Sequence, residues 1–475
     1  MSELRNSTRR GPDSATALGR MWRSAAVAAV GLTAFAPHVA AAQTVDAPIR
    51  LKVERAAAAP APVQTRHTTA HCRDGECRDD DPGRGDRPGD GRGDRRTVRV
   101  PCDTDALIAA IAEANTRTDR KLSLASRCTY TLTVNQGGSG NGLPRIVQPI
   151  TIDGNGATIT RDAGAPDFRI LQIADGGDLD LSDVTISGGR NPGFEDGAGI
   201  LVEEAGRLLL EKVTLSGNTA TGGDGAGLYN QGITVIRDST VTGNSTNRDG
   251  GGIYNYYAKL TVTKTRITEN TAANGGGLYT DSGAVTITGT RFERNFVTGE
   301  GGAIYQSDGS VDINDSVISS NTAGGRGGAI QHYNEGLHVR TSRITDNTAG
   351  THGGALSLNS PAVIEDTLIQ RNTATQGNGG GIHVATSGTE EVSIRRSKIT
   401  LNQAPGVGFS GGGIHISAGS LVTLTDAVIT RNTSHTAPGG VNNQGVVTAY
   451  GTNEITDNSP TNCAGSANPV PGCAG

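Results

Sequence analysis

An all-β solenoid of parallel strands, about ten to twelve coils long and closed at one end by a short helix, is the fold this sequence predicts. Three observations carry the prediction. Glycine is abundant, with 69 in 475 residues, roughly twice ordinary usage. Aromatic residues are scarce at 3%, and the hydrophobic fraction is 35%, too little for one large spherical core. An asparagine also recurs at nearly constant spacing: Asn218, Asn244, Asn270, Asn295, Asn321, Asn347, Asn372, Asn402, Asn432 and Asn458, with gaps of 26, 26, 25, 26, 26, 25, 30, 30 and 26. Glycine does not fall every third residue, which excludes collagen. Valine, isoleucine and leucine recur in short alternating runs, which excludes wholesale disorder.

Residues 1–42 read as an export signal. Arg20 and Arg23 precede an alanine-rich apolar run from Ala25 to Ala36, and Ala40-Ala41-Ala42 offers a cleavage point. Met21 is an alternative start. Residues 43–97 read as a disordered linker rich in Pro, Gly, Asp and Arg, which cannot bury enough surface to offset its ordering entropy. Its two Arg-Gly-Asp tripeptides, at Arg84 and Arg92, follow from that composition. Export makes the six cysteines legible as disulfides. Fifteen connectivities exist, and nearest-neighbour pairing needs the least rearrangement: Cys72 with Cys77, Cys102 with Cys128, Cys463 with Cys473. The last two pairs would clamp the ends of the ordered region, residues 98–475. Asp103-Thr104-Asp105 caps a helix over 106–115, with Leu107, Ile108, Ile111 and Ala114 on one face, suited to covering the first coil.

Beyond the helix a small-residue triplet followed by a branched residue, as in Gly301-Gly302-Ala303-Ile304, alternates with the asparagine. A period near 26 suits one solenoid coil of two or three short strands, with inward Ile, Val and Leu stacking about 4.8 Å apart. Leucine-rich repeats, propellers and calcium-binding nonapeptides fail on frame or period. Within a tight bend, each asparagine amide would bond those above and below it, so the column has a structural role.

The alternation of the triplet with an F-x-x-N element, intact at Phe292-Glu293-Arg294-Asn295, resembles the repeats of chlamydial-type polymorphic outer membrane proteins. More broadly, residues 98–475 resemble secreted bacterial right-handed parallel β-helix proteins of the pectin-lyase-like class. The resemblance implies a right-handed helix. That class holds lyases, hydrolases, epimerases and adhesins, so no single chemistry is implied. No further alternating ten-residue segments follow, so the membrane barrel of the polymorphic proteins is not expected to carry over.

Two outer columns carry the functional expectations. The residue after the inward branched one reads Leu201, Tyr229, Tyr254, Tyr279, Tyr305, Gln331, Ser357, His383, His415 and Asn442. Its four tyrosines, with His383 and His415, form a candidate strip for sugar rings, or simply stabilising cross-strand pairs. The residue before the triplet reads Asp196, Asp224, Asp249, Asn274, Glu300, Arg326, His352 and Asn378. Stacked carboxylates repel, which makes Asp196, Asp224 and Asp249 candidates for calcium; turn-forming Asp-Gly pairs are the competing account. For catalysis, Arg326 or His352 would take the proton of a uronate in β-elimination, and Asp249 with Glu300 would serve hydrolysis. Two coils are enlarged, at Ser387–Glu391 and Pro405–Phe409. A net charge of −5 without a basic stripe speaks against nucleic acid, and no apolar run of about 18 residues follows the signal. The expected function is a secreted scaffold or adhesin-like module whose surface suits polysaccharide or a cell-surface glycan. The alternative is a secreted carbohydrate-active enzyme, a lyase before a hydrolase. No cofactor is required, calcium being the one candidate.

Overall fold

The computed structural model describes residues 97–191 and 196–475. The export signal, the Cys72–Cys77 pair and the linker up to residue 96 lie outside the described residues; Thr97 already belongs to the strand Thr97–Val100.

From Ile200 to Ser434 most coils are built from four short strands, the first two of which run on as one in Ile253–Thr263 and Leu278–Thr288. In one example these are Ile304–Gln306, Ser310–Asn314, Val317–Ser319 and Thr322–Ala323. Every strand pairs in parallel with its equivalents one coil away: Ile304 faces Leu278 and Ile330, and Ile318 faces Phe292 and Ile344. The fold is therefore an all-β parallel solenoid, of about 14 turns. The excess over the expected ten to twelve comes from the N-terminal end. Strands such as Arg120–Leu124 and Pro149–Arg161 join the same stacks without an asparagine landmark to mark them.

Packing explains the composition. Ile304, Val311, Ile313 and Ile318 point inward and are fully buried on Ile330, Leu337, Val339 and Ile344 of the next coil. Burial of each such side chain contributes roughly 1.5–3 kcal/mol, realised only because a neighbouring coil exists. The triplet glycine is required where the chain enters the coil. Gly353 sits at φ +69°, and a Cβ there would lie 2.3 Å from the carbonyl oxygen of Leu356.

The asparagine column is a continuous internal ladder. Each Nδ2 donates to the Oδ1 of the next asparagine at 2.9–3.0 Å from Asn218 to Asn458, and the backbone N–H donates to the same oxygen. The second Nδ2 proton goes to a strand carbonyl, such as Phe292 for Asn321. Unusual backbone angles fall one residue earlier than expected, at positions such as Glu269, Arg294, Ser320 and Leu401, all with φ near +55° to +60°. A second ladder, invisible to the period, runs through Ser239, Thr265, Thr290, Ser316, Ser342, Thr367 and Ser397, whose hydroxyls accept backbone N–H groups from the preceding coil.

Both ends are closed. Helix α1 (Thr104–Ala114), capped by the Asp103 carboxylate on the Ala106 N–H, buries Leu107, Ile111 and Ala114 against the first coil; Ile108 is only half-buried. Disulfides join Cys102 to Cys128 and Cys463 to Cys473. At the far end, Asn462 takes the last rung by accepting from Asn458, and its own Nδ2 donates to the Ala474 carbonyl.

Candidate functional site

The outer column stacks as the period requires. Tyr229, Tyr254, Tyr279 and Tyr305 are strand partners in register, followed by Gln331, Ser357, His383, His415 and Asn442. Successive tyrosine rings lie 5.1, 4.8 and 4.6 Å apart, within 11° of parallel. The expectation of an open strip is corrected by this same geometry. Rings stacked along the solenoid axis spend their faces on one another and turn only edges outward. Tyr229 and Tyr254 are 6% and 7% exposed, Tyr279 and Tyr305 are half-buried, and His383 and His415 are buried.

Two banks of turn residues flank the column, and the strip between them is termed the trough. One bank is the column before the glycine triplet. The other is the turn after the first strand: Tyr256 and Tyr257, then Asp281, then Ser307 and Asp308, then Tyr333, then Asn359. The banks meet where the Tyr333 hydroxyl donates to Glu300 Oε2 at 2.7 Å. On the far bank, the Gln331 amide donates to Asn359 Oδ1 at 2.9 Å.

The first bank uses its polar groups to join coils. Asp196 Oδ1 accepts the Asp224 N–H at 2.8 Å, and Asp224 Oδ1 accepts the Asp249 N–H at 3.0 Å and the Arg248 guanidinium at 3.1 Å. Asp249 Oδ1 accepts from the Asn274 amide, whose oxygen takes the Glu300 N–H. This is the turn account of the Asp-Gly pairs, and like-charge repulsion is relieved by amides and Arg248. Among the described residues no three His, Cys, Asp or Glu side chains are grouped to hold a metal ion. Burial raises the carboxyls of Asp196 and Asp249, with neighbouring Asp224 adding to it.

The four catalytic candidates do not converge on one site. Asp249 and Glu300 stand in one column with the Asn274 coil between them, not across a cleft. Glu300, Arg326 and His352 do come together: Arg326 Nε lies 3.9 Å from Glu300. His352 stacks on His383 at 4.6 Å, with Phe409 of the enlarged coil edge-on at 6.4 Å. His352 Nδ1 accepts the Asn378 N–H at 3.0 Å. Burial, then Arg326, lowers its pKa, so the ring is neutral near pH 7 and its proton sits on Nε2. That nitrogen donates; it cannot take a proton from a uronate.

The sequence reading passed over the far bank. Tyr257 is 68% exposed and sits at φ +50°, a left-handed conformation that a bulky residue rarely adopts; Tyr256 beside it is 36% exposed. Their rings meet edge-to-face at 4.7 Å, and Tyr256 also touches Tyr229 and Tyr254. The only sequence signal was the Tyr-Tyr doublet at a position where most coils carry Gly, Ser, Asp or Asn.

Residues 169–336 match the family described as right handed beta helix region. No curated protein and no solved structure gives a significant match. The match and the parallel register make the solenoid a right-handed parallel β-helix, a fold that hosts many chemistries.

Proposed function

We propose that this chain is a secreted β-helix scaffold, adhesin-like in use, that binds polysaccharide along the trough and does not cleave it. Kinship with the pectin-lyase-like class and with polymorphic outer membrane protein repeats belongs to the same proposal. The observation that carries it is Tyr257. An exposed aromatic ring held in a strained backbone conformation, against Tyr256 and beside a buried tyrosine ladder, is what a sugar-stacking platform requires. The ladder supports it from beneath, and the regular coils place hydroxyls, amides and carboxylates alongside at rung spacing. Such a surface follows a polymer over several units without enclosing it.

The test is retention on insoluble glycans. Replacing Tyr257 with alanine should weaken retention roughly 10-fold or more while leaving the unfolding midpoint within a few degrees, since a side chain 68% exposed contributes little to stability. Unchanged retention overturns the platform. Formation of unsaturated products from any uronate polymer overturns the binding-only reading.

A further inference from the structure

We infer that the glycan held by this trough carries free ammonium groups, an amino-sugar polymer and not a uronate or neutral one; the inference rests on the glycan-binding reading above. Two independent features of the trough converge on it.

The first is charge. Carboxylates approach the tyrosine ladder from both banks: Asp224 and Asp249 from one, Asp281 from the other. Each contributes to raising the Tyr279 hydroxyl, which burial chiefly pushes up to about 12. Asp281 is itself raised, by burial and then by Asp308. The guanidiniums on this face are engaged, Arg248 with Asp224 and Arg326 with Glu300. A ligand carboxylate would meet like charge here, whereas an ammonium group would relieve carboxylates that crowd one another.

The second feature lies farther along the same floor. Gln331 Oε1, Ser357 Oγ and His383 Nδ1, on three successive rungs, are buried and have no hydrogen-bond partner. Gln331 Oε1 only accepts, because its amide nitrogen is committed to Asn359. Burial, with His415 and His352 adding to it, keeps His383 neutral; its Nε2 stands 3.4 Å from Ser417 Oγ, and in the tautomer that donates there Nδ1 is an acceptor. Gln331 Oε1 thus asks for a donor, and Ser357 Oγ can take one. An ammonium group supplies three and no acceptor, and the exposed Tyr257 face adds a cation–π contact.

The experiment is titration of the full chain with matched oligosaccharides of glucosamine, N-acetylglucosamine, galacturonate and glucose. The free-amine oligomer should bind at least roughly 10-fold tighter than its acetylated counterpart, and that preference should shrink in about 1 M salt. Asp249→Asn combined with Asp281→Asn should remove the preference and spare the weaker acetylated binding. Asparagine at 249 keeps the oxygen that accepts from Asn274, so the coil junction is retained. Equal or tighter binding of the neutral, acetylated or uronate oligomer overturns the inference and leaves glycan binding standing. Failure of all four to bind overturns both.

Discussion

Asn321 holds four groups at once. Its Oδ1 accepts from the backbone N–H and the Nδ2 of Asn295, and its Nδ2 donates to Asn347 and to the Phe292 carbonyl, all within 2.9–3.0 Å and fully buried. Alanine there would strip partners from Asn295 and Phe292 in a space closed to water. A buried polar group left unmade costs about 1–3 kcal/mol, so Asn321→Ala should lower unfolding free energy by roughly 3 kcal/mol or more, read from urea midpoints. Thr322→Ala, next along the chain and only half-buried, should stay within about 0.5 kcal/mol. A loss below about 1 kcal/mol at Asn321 would mean that the ladder is not what joins the coils.

At the scale of single elements, the histidine column sets a pH limit. His415 Nδ1 accepts from Asn442 at 3.1 Å and its ring lies 5.3 Å from that of His383, an arrangement suited to neutral imidazoles only. Burial drops His415 to about 4, and likewise His332, whose Nε2 meets the Pro361 carbonyl at 3.2 Å. Unfolded, these rings titrate near 6.5. Between about 6.5 and 4 the unfolded chain binds the extra protons, so stability is complete above that window and drains as pH falls through it. Each ring accounts for roughly 3 kcal/mol of the loss. The urea midpoint should therefore fall from about pH 7.5 to about pH 4.5, and fall less in His415→Asn; equal falls would remove the column as the cause. The column was legible in sequence, since the period alone aligns Tyr229 with Tyr254 and His383 with His415. Its cover was not. Cover depends on turns, and nothing periodic announces that Tyr257 adopts a left-handed backbone or that Tyr333 reaches across to Glu300. The ladder of Ser239 and Thr265 escaped for a related reason, because serine and threonine are ordinary strand residues until register places their hydroxyls beneath a neighbour's N–H.

For the solenoid as a whole, stability is a sum of coils and junctions, and its weak points are the ends. Removing one coil's neighbour exposes a row of apolar side chains together with unpaired strand edges, the features that invite a second chain. At the N-terminal end α1 covers Val100, Leu122 and Leu124, tied by Cys102–Cys128. At the other end the cover is thinner: buried Ile455 is met by a loop that brings in Val470 and is held through Asn462, the Cys463–Cys473 bond and the Gly475 carbonyl, which accepts from both Asn462 and Cys463. A disulfide closing about ten residues restricts the unfolded loop by about 2.5 kcal/mol. Replacing Cys463 and Cys473 with serine should therefore free that loop before the body unfolds. Asn458 would then lose its acceptor at Asn462, and amide protection should fall first at Asn458 and Asn432 while Asn321 keeps its own. With Ile455 uncovered, sedimentation should show concentration-dependent dimers that the parent chain does not form. Uniform loss of protection along all coils would instead make the solenoid a single cooperative unit, and a variant that stays monomeric with Asn458 still protected would show that the clamp is not what closes this end.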